Sequence, residues 1–240
     1  MERITFEGID GVGKTTTITH LENRLTAMGF RVLVQAEPGT TELGQYLRGE
    51  MKSKPTSDFE RVLMMYLSRY SMLDADESGY DYIISDRCWL STLAYQCSAN
   101  PKLLELVQRI QADYQRKFVG GTLFIIDGTP ELAATRRGLR GDTDHLENFD
   151  RKQAEAMYQI YRSAYTPKAV NYVIGHPQLF DESIADVCMF AHYEAKACFN
   201  HIEAINAQWM PEHQVEVILR YIDQHRILDR GAQSWELAVS

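Results

Sequence analysis

The sequence predicts an α/β protein in which a parallel sheet is covered by helices on both faces. Three observations carry this expectation. Short apolar runs of strand length alternate with amphipathic helical stretches along the 240 residues. Those runs are apolar nearly throughout, as in strands buried on both faces. The first of them leads directly into a glycine-rich turn, and that turn opens a helix.

The elements follow in order. Arg3–Glu7 reads as the first strand, and Thr15–Met28 as a helix with Ile18, Leu21 and Leu25 on one face and Gly29 as its stop. Arg31–Ala36 is the second strand, ended by Glu37-Pro38-Gly39. Helices are expected near Leu43–Met51 and over Asp58–Leu73. Tyr82–Ser85 is the third strand and runs into Asp86-Arg87. Helices around Ser91–Tyr95 and over Pro101–Phe118 come next, then a fourth strand, Thr122–Ile126, ending at Asp127. Pro130 suits the first turn of a further helix, and another covers about Arg151–Ala164. His201–Ile205 is the last strand and Pro211–His225 the last helix, with Gly231–Ser240 a loosely held tail.

Composition bounds the function. The chain is 45% hydrophobic and 24% charged, which is ordinary for a folded globular protein. Its formal charge of −8 argues against direct nucleic-acid binding, which depends on an excess of Lys and Arg. Apolar runs such as Val62–Leu67 fall far short of the roughly 18–20 residues of a membrane span. The N-terminus has neither the basic nor the apolar region of a signal peptide. Cys88, Cys97, Cys188 and Cys198 form no CxxC pair. Together these features predict a cytoplasmic protein in a reducing compartment.

Gly8-Ile9-Asp10-Gly11-Val12-Gly13-Lys14-Thr15 fits the pattern G-x-x-x-x-G-K-[ST]. Glycines let successive backbone N–H groups curl toward phosphate oxygens, and the following helix adds its positive end. Lys14 can bridge β- and γ-phosphates, while the Thr15 hydroxyl can ligate Mg²⁺. A strand before the turn and a helix after it make nucleoside triphosphate binding the expected ligand class. In a parallel sheet, the carboxyl ends of other strands share that site. Asp86 can serve the metal or the acceptor, and Arg87 can clamp a phosphate. Glu37-Pro38-Gly39 is a rigid polar turn. Arg136, Arg137 and Arg140, with Gly138 and Gly141, suit a lid over about residues 136–147.

With these pieces on the page, the sequence resembles the thymidylate kinase family of P-loop nucleoside monophosphate kinases. The resemblance rests on Phe6–Thr16, Glu37-Pro38-Gly39, Asp86-Arg87 with Ser91 and Ala94-Tyr95-Gln96, and Asp127 with Pro130–Ala133. The lid residues Arg136, Arg140, Asp144 and Glu147 and the segment from Ile202 through Pro211-Glu212 to Val215 add to it. It covers about residues 1–162 and 200–225. It implies a three-layer sandwich with a central five-stranded parallel sheet in one domain, residues 1–240. It also implies transfer of a phosphoryl group from ATP, with Mg²⁺, to a deoxynucleoside monophosphate, foremost dTMP. Gly8, Gly11, Val12, Gly13, Lys14, Thr15, Thr16 and Arg136 would bind ATP, and Thr15 and Asp86 the metal. Lys14, Arg87, Asp10, Arg136 and Arg140 would be catalytic. The acceptor would meet Asp10, Glu37, Pro38, Met65, Arg69, Arg87, Ser91, Thr92 and Tyr95, with Arg69 on the base and Tyr95 crowding the 2′ position. Gly11, with arginines in the lid, matches the bacterial-type arrangement. Homodimers are the family's habit.

The sequence also departs from the family. Ala36 stands where an arginine usually precedes Glu-Pro-Gly, and Arg48 is the candidate to replace it. Met65 replaces a phenylalanine, Ser68 an acid and His145 a lid arginine. An insertion of about residues 163–199 precedes the last strand. Ile184, Val187, Cys188, Ala191, Ala195, Cys198 and Ile202 fall there at helical spacing. Cys188, His192, Cys198 and His201 can be drawn as a zinc set, but their spacing resembles no common finger, and an amphipathic helix with packed cysteines is preferred. The departures keep a second reading open, a kinase of the same fold for dUMP, dGMP or a base-modified pyrimidine nucleotide. A P-loop switch or motor is disfavoured by the lack of an Asn-Lys-x-Asp motif. An inactive nucleotide sensor is disfavoured because most of the phosphate-handling residues are present.

Overall fold

The computed structural model describes residues 1–115, 120–140 and 150–229. Its sheet has five strands: β1 (Glu2–Glu7), β2 (Val32–Ala36), β3 (Tyr82–Asp86), β4 (Thr122–Asp127) and β5 (His201–Asn206). All pairings are parallel, in the order β2-β3-β1-β4-β5. The order reverses at β1, so the crevice that parallel α/β sheets use for ligands opens where the glycine-rich turn leaves that strand. Register does the rest. Phe6 pairs with Asp86, and Ala36 pairs with the same Asp86 from the other side. The ends of β1, β2 and β3 are therefore level.

The helices are α1 (Lys14–Ala27), α2 (Glu42–Ser53), α3 (Asp58–Met72), α4 (Trp89–Thr92), α5 (Leu104–Gln115), α6 (Pro130–Arg140), α7 (Arg151–Tyr165), α8 (Pro167–Gly175), α9 (Glu182–Cys198) and α10 (Pro211–Asp229). Local chemistry sets several starts. Ser57 and Glu60 form a reciprocal capping box on α3, with Ser57 Oγ accepting the Glu60 N–H at 3.2 Å. Asp150 caps α7 by accepting the Gln153 N–H at 2.7 Å. Thr166 caps α8, whose first residue is Pro167, and Asp181 caps α9. The helices flank the sheet. Phe6 stacks on Phe124 within it, and Phe124 meets Tyr221 of α10 edge to face.

The expected order of elements holds, with local differences. The helix expected around Ser91–Tyr95 begins as α4 and continues as a π-helical turn, Leu93–Cys97. The helix expected from Pro101 begins as a 3₁₀ turn before α5, and its expected end at Phe118 lies outside the described residues. Ile202 belongs to β5, so the helical spacing in the insertion stops at Cys198. The tail and most of the expected lid also lie outside the described residues. Among the described residues no helix is long and apolar enough to cross a membrane.

The insertion is built into the core. Ile184, Val187, Cys188, Ala191, Ala195 and Cys198 of α9 are all buried, and Phe190 meets the fully buried Trp89 edge to face. His192 Nδ1 lies 2.7 Å from the Ser163 carbonyl of α7, while the His201 ring packs against Tyr221 and His225. Cys188 and Cys198 are free and buried in the core, as the preferred packed-helix reading expects. Truncating Ile184 to Ala removes packing from the shared core at a cost of about 2–4 kcal/mol. Thermal unfolding followed by circular dichroism is expected to stay a single transition, lowered by roughly 5–10 °C. An unmoved main transition would mean that α9 unfolds on its own.

Candidate active site

The phosphate loop is shaped by its glycines. Gly11 has φ +95°, and a Cβ there would sit 2.5 Å from the Ala133 carbonyl of α6. Only glycine supplies both the left-handed backbone and that close approach. Lys14, the first residue of α1, is buried. Its Nζ donates to the Gly8 carbonyl at 2.7 Å and the Ile9 carbonyl at 3.1 Å. Burial and the nearby Arg87 charge lower its pKa, against the pull of Asp10 and Asp86. Thr15 and Thr16 are exposed at the open N-terminus of the helix.

A charged network joins this loop to the end of β3. Arg87 pairs with Asp10 through Nη2 and donates from Nη1 to Ser91 Oγ at 3.0 Å. The Tyr95 hydroxyl donates to the other Asp10 oxygen at 2.6 Å. Lys14 Nζ lies 3.8 Å from Asp10. Burial pushes the Asp10 carboxyl up, but Arg87, Lys14 and the Tyr95 hydroxyl outweigh it and hold the group below the usual carboxylate range. Asp10 is therefore ionised at any working pH. Arg87 holds a left-handed backbone, φ +82°, the only such non-glycine residue among those described. Strain of this kind collects at sites whose surroundings enforce it.

Two cavities meet at this network. The larger, about 740 Å³, is lined by the loop from Asp10 to Thr17, by Asp86 and by Arg136. The smaller, about 180 Å³, is lined by Met51, Met65, Ser91, Tyr95 and Gln96 among others. Asp10, Glu37, Pro38, Arg48 and Arg87 line both. The shared residues mark the junction, and most of them are charged. Arg136 donates to the carbonyls of Val12 at 2.7 Å and Ala207 at 2.8 Å, which ties α6 to the loop and to the turn after β5. Arg48 donates to the Pro38 carbonyl at 3.1 Å, so it reaches the junction although Ala36 carries no charge.

Most of the residues singled out in the sequence therefore converge. Three do not face either cavity. Gly8 lies under the loop and acts through its carbonyl. Thr92 is fully buried, with no partner for its hydroxyl among the described residues. Arg69 is also fully buried. Its Nε donates to Glu37 at 2.5 Å and its Nη2 to the Cys88 carbonyl at 2.9 Å. It lines a separate cavity of about 130 Å³ that Glu37 and Cys88 share. Burial raises the Glu37 pKa to about 7 against the opposing pull of Arg69. The Arg140 side chain and residues 141–149, including Asp144, His145 and Glu147, are outside the described side chains.

Sequence reasoning missed two groups. Ala207, Gln208, Trp209, Met210 and Gln214 line the larger cavity from the turn after β5 and the first turns of α10. Their signal was positional, since that turn leaves the carboxyl end of a parallel strand. Lys52, Asp58 and Arg61 line the smaller cavity, and in the sequence they look like ordinary solvated helix charges.

The donor set for a metal fits a small hard cation. Thr15 Oγ1 lies 3.4 Å from Asp86 Oδ2, and Asp86 Oδ1 is buried without a hydrogen-bond partner among the described residues. A hydroxyl beside a carboxylate with an unused oxygen suits Mg²⁺, which takes oxygen ligands and keeps several waters.

Comparison with known proteins agrees with this geometry. The family described as thymidylate kinase matches residues 6–179, from the end of β1 through α8. A thymidylate kinase of Paraburkholderia xenovorans is 31% identical over 174 residues, covering 69% of this chain and 82% of that protein. One of Paraburkholderia phytofirmans is 31% identical over 175 residues, covering 68% and 85%. One of Burkholderia cenocepacia is 30% identical over 174 residues, with 69% and 82% covered. With the phosphate loop, Arg87 and the two cavities that meet there all present in the folded chain, it belongs to the thymidylate kinase family of nucleoside monophosphate kinases.

Proposed function

We propose that this protein transfers the γ-phosphoryl group of Mg-ATP to dTMP, giving ADP and dTDP. The observation that carries the reading is the meeting of two cavities at Asp10 and Arg87, with the phosphate loop lining one of them. The larger cavity is the donor site. Backbone N–H groups from Gly11 to Thr16 and the N-terminus of α1 receive its phosphates. Lys14 exchanges its bonds to loop carbonyls for β- and γ-phosphate oxygens. Thr15 and Asp86 would hold Mg²⁺, which supplies charge neutralisation between the β- and γ-phosphates. Arg136, with Arg140 further along α6, brings cations from the lid side. The turn at Trp209 and Met210 offers apolar surface for the donor base.

The smaller cavity is the acceptor site. An oxygen of the acceptor monophosphate attacks the γ-phosphorus. The bond from that phosphorus to the bridging oxygen of ADP breaks, and the electron pair leaves with ADP. No protein nucleophile is needed, so this chain's part is alignment and charge. Arg87, shared by both cavities, faces the transferring group and the acceptor phosphate together. Arg48 supports the acceptor phosphate in place of the arginine absent at position 36. Asp10 holds Arg87 and presents a carboxylate to the sugar, and the Tyr95 ring favours a deoxy sugar. Four buried free thiols and nucleotide substrates support a cytoplasmic location.

A homodimer is part of the reading. Phe59, Leu63 and Leu67 recur every four residues on α3 and are 50%, 42% and 50% exposed. Such a helical stripe suits an isologous contact with a second copy.

ADP release from Mg-ATP is expected to require a nucleoside monophosphate, with dTMP preferred over ribonucleotides. Lys14→Ala is expected to reduce it at least ~10²-fold, the scale of losing a key cation at a transferring phosphate. Arg48→Ala is expected to raise the KM for dTMP about tenfold, as for one lost charge-assisted contact, and to leave the KM for ATP unchanged. ADP release independent of any monophosphate would contradict the assignment. In sedimentation velocity, Leu63→Glu is expected to convert a dimer to a monomer. A wild-type chain that sediments as a monomer at high concentration would contradict the α3 interface.

A further inference from the structure

We infer that Gln214 is a positioning residue for the donor's base, because it ties the turn after β5 to the phosphate loop. The inference rests on the donor-site reading above and deepens it. Trp209 and Met210 line the larger cavity and are 38% and 69% exposed. An aromatic ring and a thioether can cover the face of a base. They do so for a bound nucleotide only while their turn keeps a fixed distance from the loop that receives the phosphates. The Trp209 ring packs edge to face on His213 at 4.9 Å, but that contact stays between the turn and α10.

Gln214 of α10 reaches the loop. It is buried, and its Nε2 donates to the Asn206 carbonyl at 3.1 Å and the Trp209 carbonyl at 3.2 Å. Its Oε1 accepts the Thr17 hydroxyl at 2.5 Å. Thr17 is buried in the first turn of α1, and its N–H donates to the Gly13 carbonyl at 3.0 Å. A chain of hydrogen bonds therefore runs from the last glycine of the loop to Trp209. The partners also fix the amide's orientation, since two carbonyls require the N–H₂ end and a hydroxyl serves the oxygen. Arg136 gives the turn a second tie to the loop, but at Ala207. Both N–H groups and the oxygen of Gln214 are engaged by the protein, so it acts on a base through the turn. Without it, two carbonyls lose a partner and the turn must be ordered when nucleotide binds.

The test separates the two halves of the donor. Calorimetric titration compares a non-hydrolysable Mg-ATP analogue with inorganic Mg-tripolyphosphate, which has the phosphates and no nucleoside. Gln214→Met keeps the size of the side chain without its amide. It is expected to weaken the analogue at least ~5-fold, with tripolyphosphate and dTMP within about twofold of wild type. Thr17→Val cuts the same chain at its other end and is expected to show the same pattern with a smaller factor. It also decides the question if Gln214→Met melts early and does not fold. The double variant is expected to bind the analogue within about twofold of Gln214→Met, because both changes break one chain. Analogue affinity within twofold of wild type in folded Gln214→Met overturns the inference. Equal weakening of tripolyphosphate also overturns it, since Gln214 would then act through the loop. Failure of the kinase reading is seen separately, as wild-type protein that releases no ADP with any monophosphate, and the binding comparison still decides the role of Gln214. Wild-type protein that binds the analogue no more tightly than tripolyphosphate overturns the inference together with the placement of the donor base.

Discussion

The geometry of the site depends on one buried carboxylate. Glu7, the last residue of β1, is fully buried and accepts three hydrogen bonds, from Cys88 N–H at 2.8 Å, Ser91 N–H at 3.0 Å and Ser91 Oγ at 2.8 Å. It thereby fixes the start of α4 against the strand that leads into the phosphate loop. A buried carboxylate is costly unless its lone pairs are satisfied, and here the first turn of a helix supplies the donors. Between the two anchored segments, Arg87 is held in its left-handed conformation, with its own N–H donating to the Phe6 carbonyl at 2.9 Å. Strain of about 1–3 kcal/mol at such a residue is offset by the bonds around it. The result is a guanidinium placed at the junction of two cavities.

Electrostatics then distributes the roles. Asp10 faces Arg87, Lys14 and Tyr95, so the positive charges at the junction are held apart and oriented by one carboxylate. Arg136 and Arg137 of α6 bond to loop carbonyls at Val12 and Asp10, which couples α6 to the loop. A second ion pair, Glu37 with Arg69, is buried one layer deeper. It braces the turn after β2 and leaves Arg69 Nη1 buried without a hydrogen-bond partner among the described residues.

Much of this was legible in the sequence because it depends on local pattern. The five strands, the phosphate loop and the placement of Asp86-Arg87 follow from apolar runs, glycines and the rule that parallel sheets bind ligands at strand ends. What was not legible depends on partners distant in the chain. Nothing near Arg69 says that Glu37 will claim it, and helical periodicity places it on the same face as Met65. Lys52, Asp58 and Arg61 look like surface charges until α2 and α3 fold over the smaller cavity. The turn after β5 carries no motif, so its contribution to the larger cavity needs the topology. The insertion showed its helix in its spacing, but only the packing of Phe190 on Trp89 and of His192 on α7 shows that it completes the core. The boundary between α7 and α8 was written in Thr166-Pro167, a start signal within the segment read as a single insertion.

The central claim is that donor and acceptor occupy separate cavities that meet at Asp10 and Arg87. Calorimetric titration of dTMP into protein saturated with a non-hydrolysable Mg-ATP analogue tests it most directly. The account predicts one dTMP bound per chain with the analogue still in place, and weaker dTMP binding with unchanged binding of the analogue in Arg48→Ala. Competition between the two nucleotides for one site would contradict it.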